Sequence, residues 1–184
     1  MRGRSLGMAL PMLAALFAAA PLRAQDSEGQ DHAALPRYPG AIIDGYRAPS
    51  LDEIVLPTGP VTNETAQANL APHTGQVTHI DYRLTPATAP LQIERYYTGL
   101  FQKQGFKTVY ACVGPACGAG MGGLILNSGR IAPTGLADGL FNDRIRVLVA
   151  RRGDTWVLLH IAEGPDRSQI YEAVLEGQTD TADR

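Results

Sequence analysis

Cysteine is scarce in this chain: Cys112 and Cys117 are the only two among 184 residues. A structural zinc site needs four ligands, and no second cysteine pair or nearby histidine completes a set around them. Neither cysteine falls at the end of the N-terminal apolar segment, so none is placed to carry a lipoprotein anchor. Basic charge is also short. The whole chain has 16 Lys and Arg against 18 Asp and Glu, a formal charge of −2. Nucleic-acid binding asks for a basic stripe and anionic lipid for a polybasic patch, and neither is present. The longest apolar run, 8–20, falls short of the roughly 20 apolar residues that span a bilayer. The polar end, Thr181-Ala182-Asp183-Arg184, leads us to expect no C-terminal membrane anchor. Beyond the N-terminal segment there is no G-x-S-x-G, and there is no H-E-x-x-H and no internal repeat, so the common hydrolase and metalloprotease signatures are missing from the rest of the chain.

What is present begins at the N-terminus. Arg2 and Arg4 precede the apolar run, and Pro21-Leu22-Arg23-Ala24 ends on a small residue. That is the pattern of a secretory signal peptide over 1–24, cut after Ala24. Its removal takes Arg2, Arg4 and Arg23 with it, leaving 13 basic residues against 18 acidic, near −5. The mature chain of about 160 residues suits one domain of ~100–200. It is expected to be exported, either soluble or held peripherally. Residues 25–34 are polar and aperiodic and read as a flexible leader, 35–177 as the domain, and 178–184 as a disordered tail.

Within the domain, 41–46 and 53–57 read as two short strands, and 62–74 as the longest loop. Residues 77–84 alternate, with Ile80, Tyr82 and Leu84 on one face and His79, Asp81 and Arg83 on the other, the pattern of a half-buried strand. Ile93, Tyr97, Leu100, Phe101 and Gln104 then share one helical face. Pro90 suits the first turn, Gly105 suits the left-handed stop, and Phe106 can fold back on Phe101. This predicts a helix over Pro90–Gln104 and a strand over 106–112. A glycine-rich stretch, 114–129, follows. Two apolar strands, 144–150 and 155–162, flank the turn Arg151-Arg152-Gly153-Asp154, and the second is apolar on both faces apart from His160, hence central. Residues 169–176 fit a strand or a short helix. The expected class is α+β: a largely antiparallel sheet, one face covered by the 90–104 helix, ending in a β-meander.

Several groups invite chemistry. In an oxidising compartment, Cys112-Val113-Gly114-Pro115-Ala116-Cys117 is most simply a structural disulfide, whereas a redox-active pair more often shows C-x-x-C. Gly114, Gly118, Gly120, Gly122 and Gly123 match neither the dinucleotide fingerprint nor the P-loop. His79, Asp81 and Arg83 could bind a small anion or line a cleft, although a solvated strand face is the plainer expectation. His160, in an apolar strand, reads first as a hydrogen-bonded core histidine and second as a ligand contact. Arg152-Gly153-Asp154 spells an adhesion tripeptide, but Gly-Asp is also what a tight hairpin requires. Asn63-Glu64-Thr65 fits a glycosylation sequon, of consequence only in a eukaryotic secretory route.

Taken in order, Asp31-His32, Leu35-Pro36-Arg37-Tyr38-Pro39-Gly40, Leu56-Pro57-Thr58-Gly59, Thr78-His79-Ile80-Asp81-Tyr82-Arg83, Tyr96-Tyr97, Gly105-Phe106 and Cys112…Cys117-Gly118 resemble an uncharacterised bacterial envelope domain. That family often precedes an OmpA-like peptidoglycan-binding domain. The resemblance covers roughly residues 31–176. It implies a Gram-negative envelope, a strand at 169–176, and no catalytic residue, since the family has no established activity. With the sequence ending at Arg184, no OmpA-like part is expected here. The leading expectation is therefore a non-enzymatic binding or structural module, periplasmic or peripheral to the outer membrane, with no cofactor. Its partner would be an envelope protein or a cell-wall component. The rivals are a thiol redox protein or small hydrolytic enzyme using Cys112 and Cys117 or a His79/Asp81 cleft, and a lipid or small-molecule carrier with its cavity under the helix.

Overall fold

The computed structural model describes residues 29–137 and 139–177. The expected signal peptide over 1–24, residues 25–28 of the expected leader and the expected tail over 178–184 lie outside the described residues. Strands β1 (Ile42–Pro57), β2 (Leu70–Leu84), β3 (Lys107–Val113), β4 (Ile145–Arg152), β5 (Thr155–Glu163) and β6 (Ser168–Gly177) form one sheet in the order β1-β2-β6-β5-β4-β3. Every neighbouring pair is antiparallel. The α+β class and the closing meander are as expected. Helix α1 (Pro90–Gln104) carries the chain from β2 to the far edge at β3. The meander β3 to β6 then walks back until β6 meets β2. Residues 169–176 are thus a strand, and β5 is central.

Helix α1 forms where its local signals place it. Pro90 occupies the first turn, and Ile93, Tyr97 and Phe101 are buried one turn apart. Gly105 takes φ 78°, and the Phe106 amide donates to the Phe101 carbonyl at 2.8 Å. The two phenyl rings stand 5.7 Å apart, closing the cap as a hydrophobic contact. Leu100 departs from expectation: it flanks the packed stripe and is only half-buried. Glu94 on α1 pairs with Arg146 on β4 and so ties the helix to the sheet. Beneath α1 lie Ile80 and Tyr82 of β2, Leu159 and Ile161 of β5, and Ile170 and Val174 of β6.

The opposite face of the sheet is covered as well, which alternation in β2 did not predict. The glycine-rich stretch turns through a single 3-10 turn (Gly114–Cys117) and a short helix α2 (Met121–Leu126). Met121, Leu124, Ile125 and Leu126 are buried there, in one cluster with Val77, Val147, Leu158, Tyr171 and Ala173. The 58–69 connection clamps this cover. The Val61 amide donates to the Cys117 carbonyl, and the Gly120 amide to the Val61 carbonyl, both at 2.9 Å. A Cβ at Gly118, itself at φ 86°, would collide with the Val61 backbone, so only glycine permits this approach.

Three other expectations need correction. The strands read at 41–46 and 53–57 are one continuous β1, because β2 pairs along its whole length with bulges after Ile43 and Arg47. The loop expected over 62–74 ends at Asn69, since Leu70 already pairs with Pro57. The leader over 25–34 is not wholly flexible. Asp31 receives hydrogen bonds from Arg37 Nε at 2.7 Å and from the Tyr82 hydroxyl at 3.2 Å, and His32 bridges to the fully buried Leu35. These groups anchor the strap to the α1 face.

Candidate functional site

Side chains alternate along a strand, so the odd positions of β2 and β6 and the even positions of β5 project toward α2. In register, Asp81 stands opposite Tyr171, and Tyr171 opposite His160. A row of three polar groups therefore crosses three neighbouring strands. His79 lies one row to one side, opposite Ala173, and Gln169 one row to the other, opposite Arg83 and Ala162. The expected solvated face is in fact interior: His79 is 0% exposed and Asp81 2%. The reason is the cover laid on by residues 114–137 and 139–141. Gly45, opposite Asp81, lies directly under the Leu136 carbonyl.

Across to the neighbouring row, His79 Nδ1 and the Tyr171 hydroxyl share a hydrogen bond of 2.7 Å. Burial pushes the His79 imidazole down to about 4, helped by the Arg47 charge and opposed by Asp52. Burial likewise lowers His160 to about 4, against a bond from its ring to its own backbone. The Tyr171 phenol is raised well above its ordinary value by burial first and by Asp81 next. Both histidines are consequently neutral at pH 7. His79 Nε2, His160 Nε2 and both amide atoms of Gln169 are buried without a protein partner. Arg83 is not part of the row: its Nε donates to Asp44 at 3.0 Å near the sheet edge. Of the residues singled out in the sequence, the structure brings His79, Asp81 and His160 together through Tyr171 and turns Arg83 away.

A cleft of about 320 Å3 lies within the cover itself, and none of the row's side chains lines it. One wall is the disulfide loop and the start of α2, with Pro115, Ala119 and Gly122, and the other is Leu140, Phe141 and Ile145. Cys112 and Cys117 are bonded, with Cα atoms 5.1 Å apart, and both pack in the core below this wall. Phe141 stands at the mouth, 56% exposed. Gly122 separates the cleft from His160. A Cβ built there would lie 3.6 Å from Phe141 Cδ1 and 4.0 Å from His160 Nε2, ordinary contact distances.

Sequence reasoning passed over Tyr171, Gln169 and Phe141. The first two carry no signal until the register of β6 between β2 and β5 is known, and Phe141 has only its place in a loop. It also missed Glu172, on the α1 face. That carboxyl is fully buried, with both oxygens unpartnered, and burial and Asp31 raise it well above the usual carboxylate range. The only sequence signal is an acid between Ile170 and Val174. Among the described residues, no group of three or more potential metal ligands converges, and no helix is long and apolar enough to cross a membrane. No protein-family model and no curated protein matches the chain.

Proposed function

We propose that this chain is an exported binding module of a Gram-negative cell envelope, and that the cleft between the disulfide loop and Phe141 is its binding surface. The cleft carries the reading: a concave site, walled on one side by a crosslinked loop, with an exposed aromatic ring at its mouth. Export follows from the residue pattern of 1–24. The resemblance to the envelope domain family supports the compartment and a partner in the envelope or cell wall. Binding is favoured over catalysis because His79 and His160 are sealed and sit near 4, whereas a general acid–base works best near the operating pH. Thiol exchange requires a nucleophile to reach a sulfur, and Cys117 is wholly buried.

The test is to place a photo-crosslinking side chain at position 141, and a control at the exposed Gln102 on α1, in the exporting bacterium. Irradiation should add mass to the first protein and not to the second, and the purified chain should begin at Gln25. Equal adducts at both positions, or none at 141, would refute the cleft as the binding surface. A chain still beginning at Met1 would refute export.

A further inference from the structure

We infer that the strap over residues 31–37 is a latch on the α1 face, and that ionisation of Glu172 beneath it opens the latch. The latch lies on the side of the sheet opposite the cleft and works whether or not the cleft binds a partner. Glu172 sits in the middle of β6, opposite Ile80 of β2 and Leu159 of β5, 0% exposed and with neither carboxyl oxygen partnered. A buried polar group without a partner is rare in a native fold and points to a role beyond packing. As a neutral acid it is tolerated there; as a carboxylate it must meet either water or a cation.

The groups around Glu172 decide which part of the fold gives way. The Tyr82 phenol acts on it from β2, the phenols of Tyr97 and Tyr96 from α1, and the Asp31 carboxylate from the strap. On this side β5 presents Val157, Leu159 and Ile161, none of which carries charge. The strap's Arg37 is bonded to Asp31 at 2.7 Å and lies over the Tyr82 ring, and its His32 faces Glu176 at 3.9 Å. An ionised Glu172 is therefore repelled by Asp31, and the push falls on the strap. Helix α1 and the strands are held by their own ladders of backbone bonds. The strap belongs to neither, and rests on the fully buried Leu35 and a few polar contacts. The Tyr82 hydroxyl donates to Asp31 at 3.2 Å, the Tyr96 hydroxyl to the Arg37 carbonyl at 2.8 Å, and the Tyr38 amide to the Tyr97 hydroxyl at 3.2 Å. Lifting the strap breaks fewer contacts than displacing a central strand, so opening is local. It withdraws Leu35 from the core and lets water reach Glu172, and acid closes it again.

Amide hydrogen exchange of the purified protein between pH 6.5 and pH 8 is the test, each rate being divided by that of an unstructured peptide at the same pH. The amides of Leu35 and Tyr38, bonded to the His32 carbonyl and the Tyr97 hydroxyl, report on the strap. Opening releases one proton, so their protection should fall about tenfold per pH unit. It should also stay at least tenfold below that of Leu158 and Leu159 in β5. Glu172→Gln, isosteric with the neutral acid and uncharged at every pH, should make the strap's protection independent of pH. Tyr96→Phe, which loses the bond to Arg37, should lower that protection several-fold at every pH and keep the parent's slope. Strap protection that does not change with pH in the parent, or a slope that survives Glu172→Gln, overturns the inference. So do strap amides as protected as those of β5, because Glu172 would then meet water only when the whole chain unfolds. The slope and the β5 comparison are both read on the parent protein, so they decide the matter whatever the stability of a variant.

Discussion

Acid should destabilise this protein in a way that reports on two faces of the sheet at once. The perturbation is a change from pH 6 to pH 5, where exposed carboxylates remain largely ionised. His79 and His160 have folded values near 4 against an ordinary 6.5. The unfolded chain therefore takes up protons that the folded chain refuses. The stability these two residues contribute is present above about 6.5 and lost as pH falls toward 4, roughly 3 kcal/mol for each. Glu172 acts in the opposite sense. Its carboxyl is held protonated in the fold, so its contribution is complete below the ordinary value of 4.5 and lost as pH rises. Near pH 5.5, two protons gained on unfolding are offset by one released, a net of about one. Stability should then rise with pH by ~1.4 kcal/mol per unit. His32 and His73 are lowered in the same direction from more open positions and add to the slope. Urea denaturation at several pH values measures it. Glu172→Gln removes the opposing carboxyl and should steepen the slope to ~2.7 kcal/mol per unit, whereas His160→Phe should flatten it toward zero. The slope, not the absolute stability, is the readout, so a variant of lower stability remains informative. A Glu172→Gln protein with the parent's slope would mean that this carboxyl is ionised in the fold, and the reasoning would fail.

The disulfide closes a short loop, so replacing both Cys112 and Cys117 by alanine should cost about 2 kcal/mol in thermal or urea unfolding. Alkylation of the unreduced protein should label neither cysteine, and free labelling of both would contradict the crosslink. On α1, Phe101→Ala should cost about 3–5 kcal/mol, while Leu100→Ala, at a half-buried position, should cost only about 1–2. Equal losses from the two would show that the buried face of the helix is assigned wrongly.

The features legible in the sequence are those whose cause is local. Pro90, the spacing of Ile93, Tyr97 and Phe101, and Gly105 specify α1 and its stop within sixteen residues. Gly153 and Asp154 make the hairpin between β4 and β5, where Gly153 has φ 57°. The proximity of Cys112 and Cys117 along the chain made their pairing readable too. Asp81 and His160 could be picked out as chemically notable, but not as neighbours in one row. That depends on β6, from the far end of the chain, inserting between β2 and β5.

The sequence by itself determined each element's periodicity and its punctuation, because these follow from backbone stereochemistry and from side chains a few residues apart. Only the tertiary structure decided what lies against each face. The alternation of His79, Asp81 and Arg83 with Ile80, Tyr82 and Leu84 is the same whether the polar side meets water or a protein cover. The outcome rests on α2 and the segment to Phe141, which shield His79 and Asp81 and build the cleft beside His160. Glu172 follows the same logic, since its alternation with Ile170 and Val174 leaves unsaid that α1 and the Asp31 strap enclose it. Burial is a property of the assembled fold, and burial is what holds His79 and His160 neutral and the Glu172 carboxyl protonated.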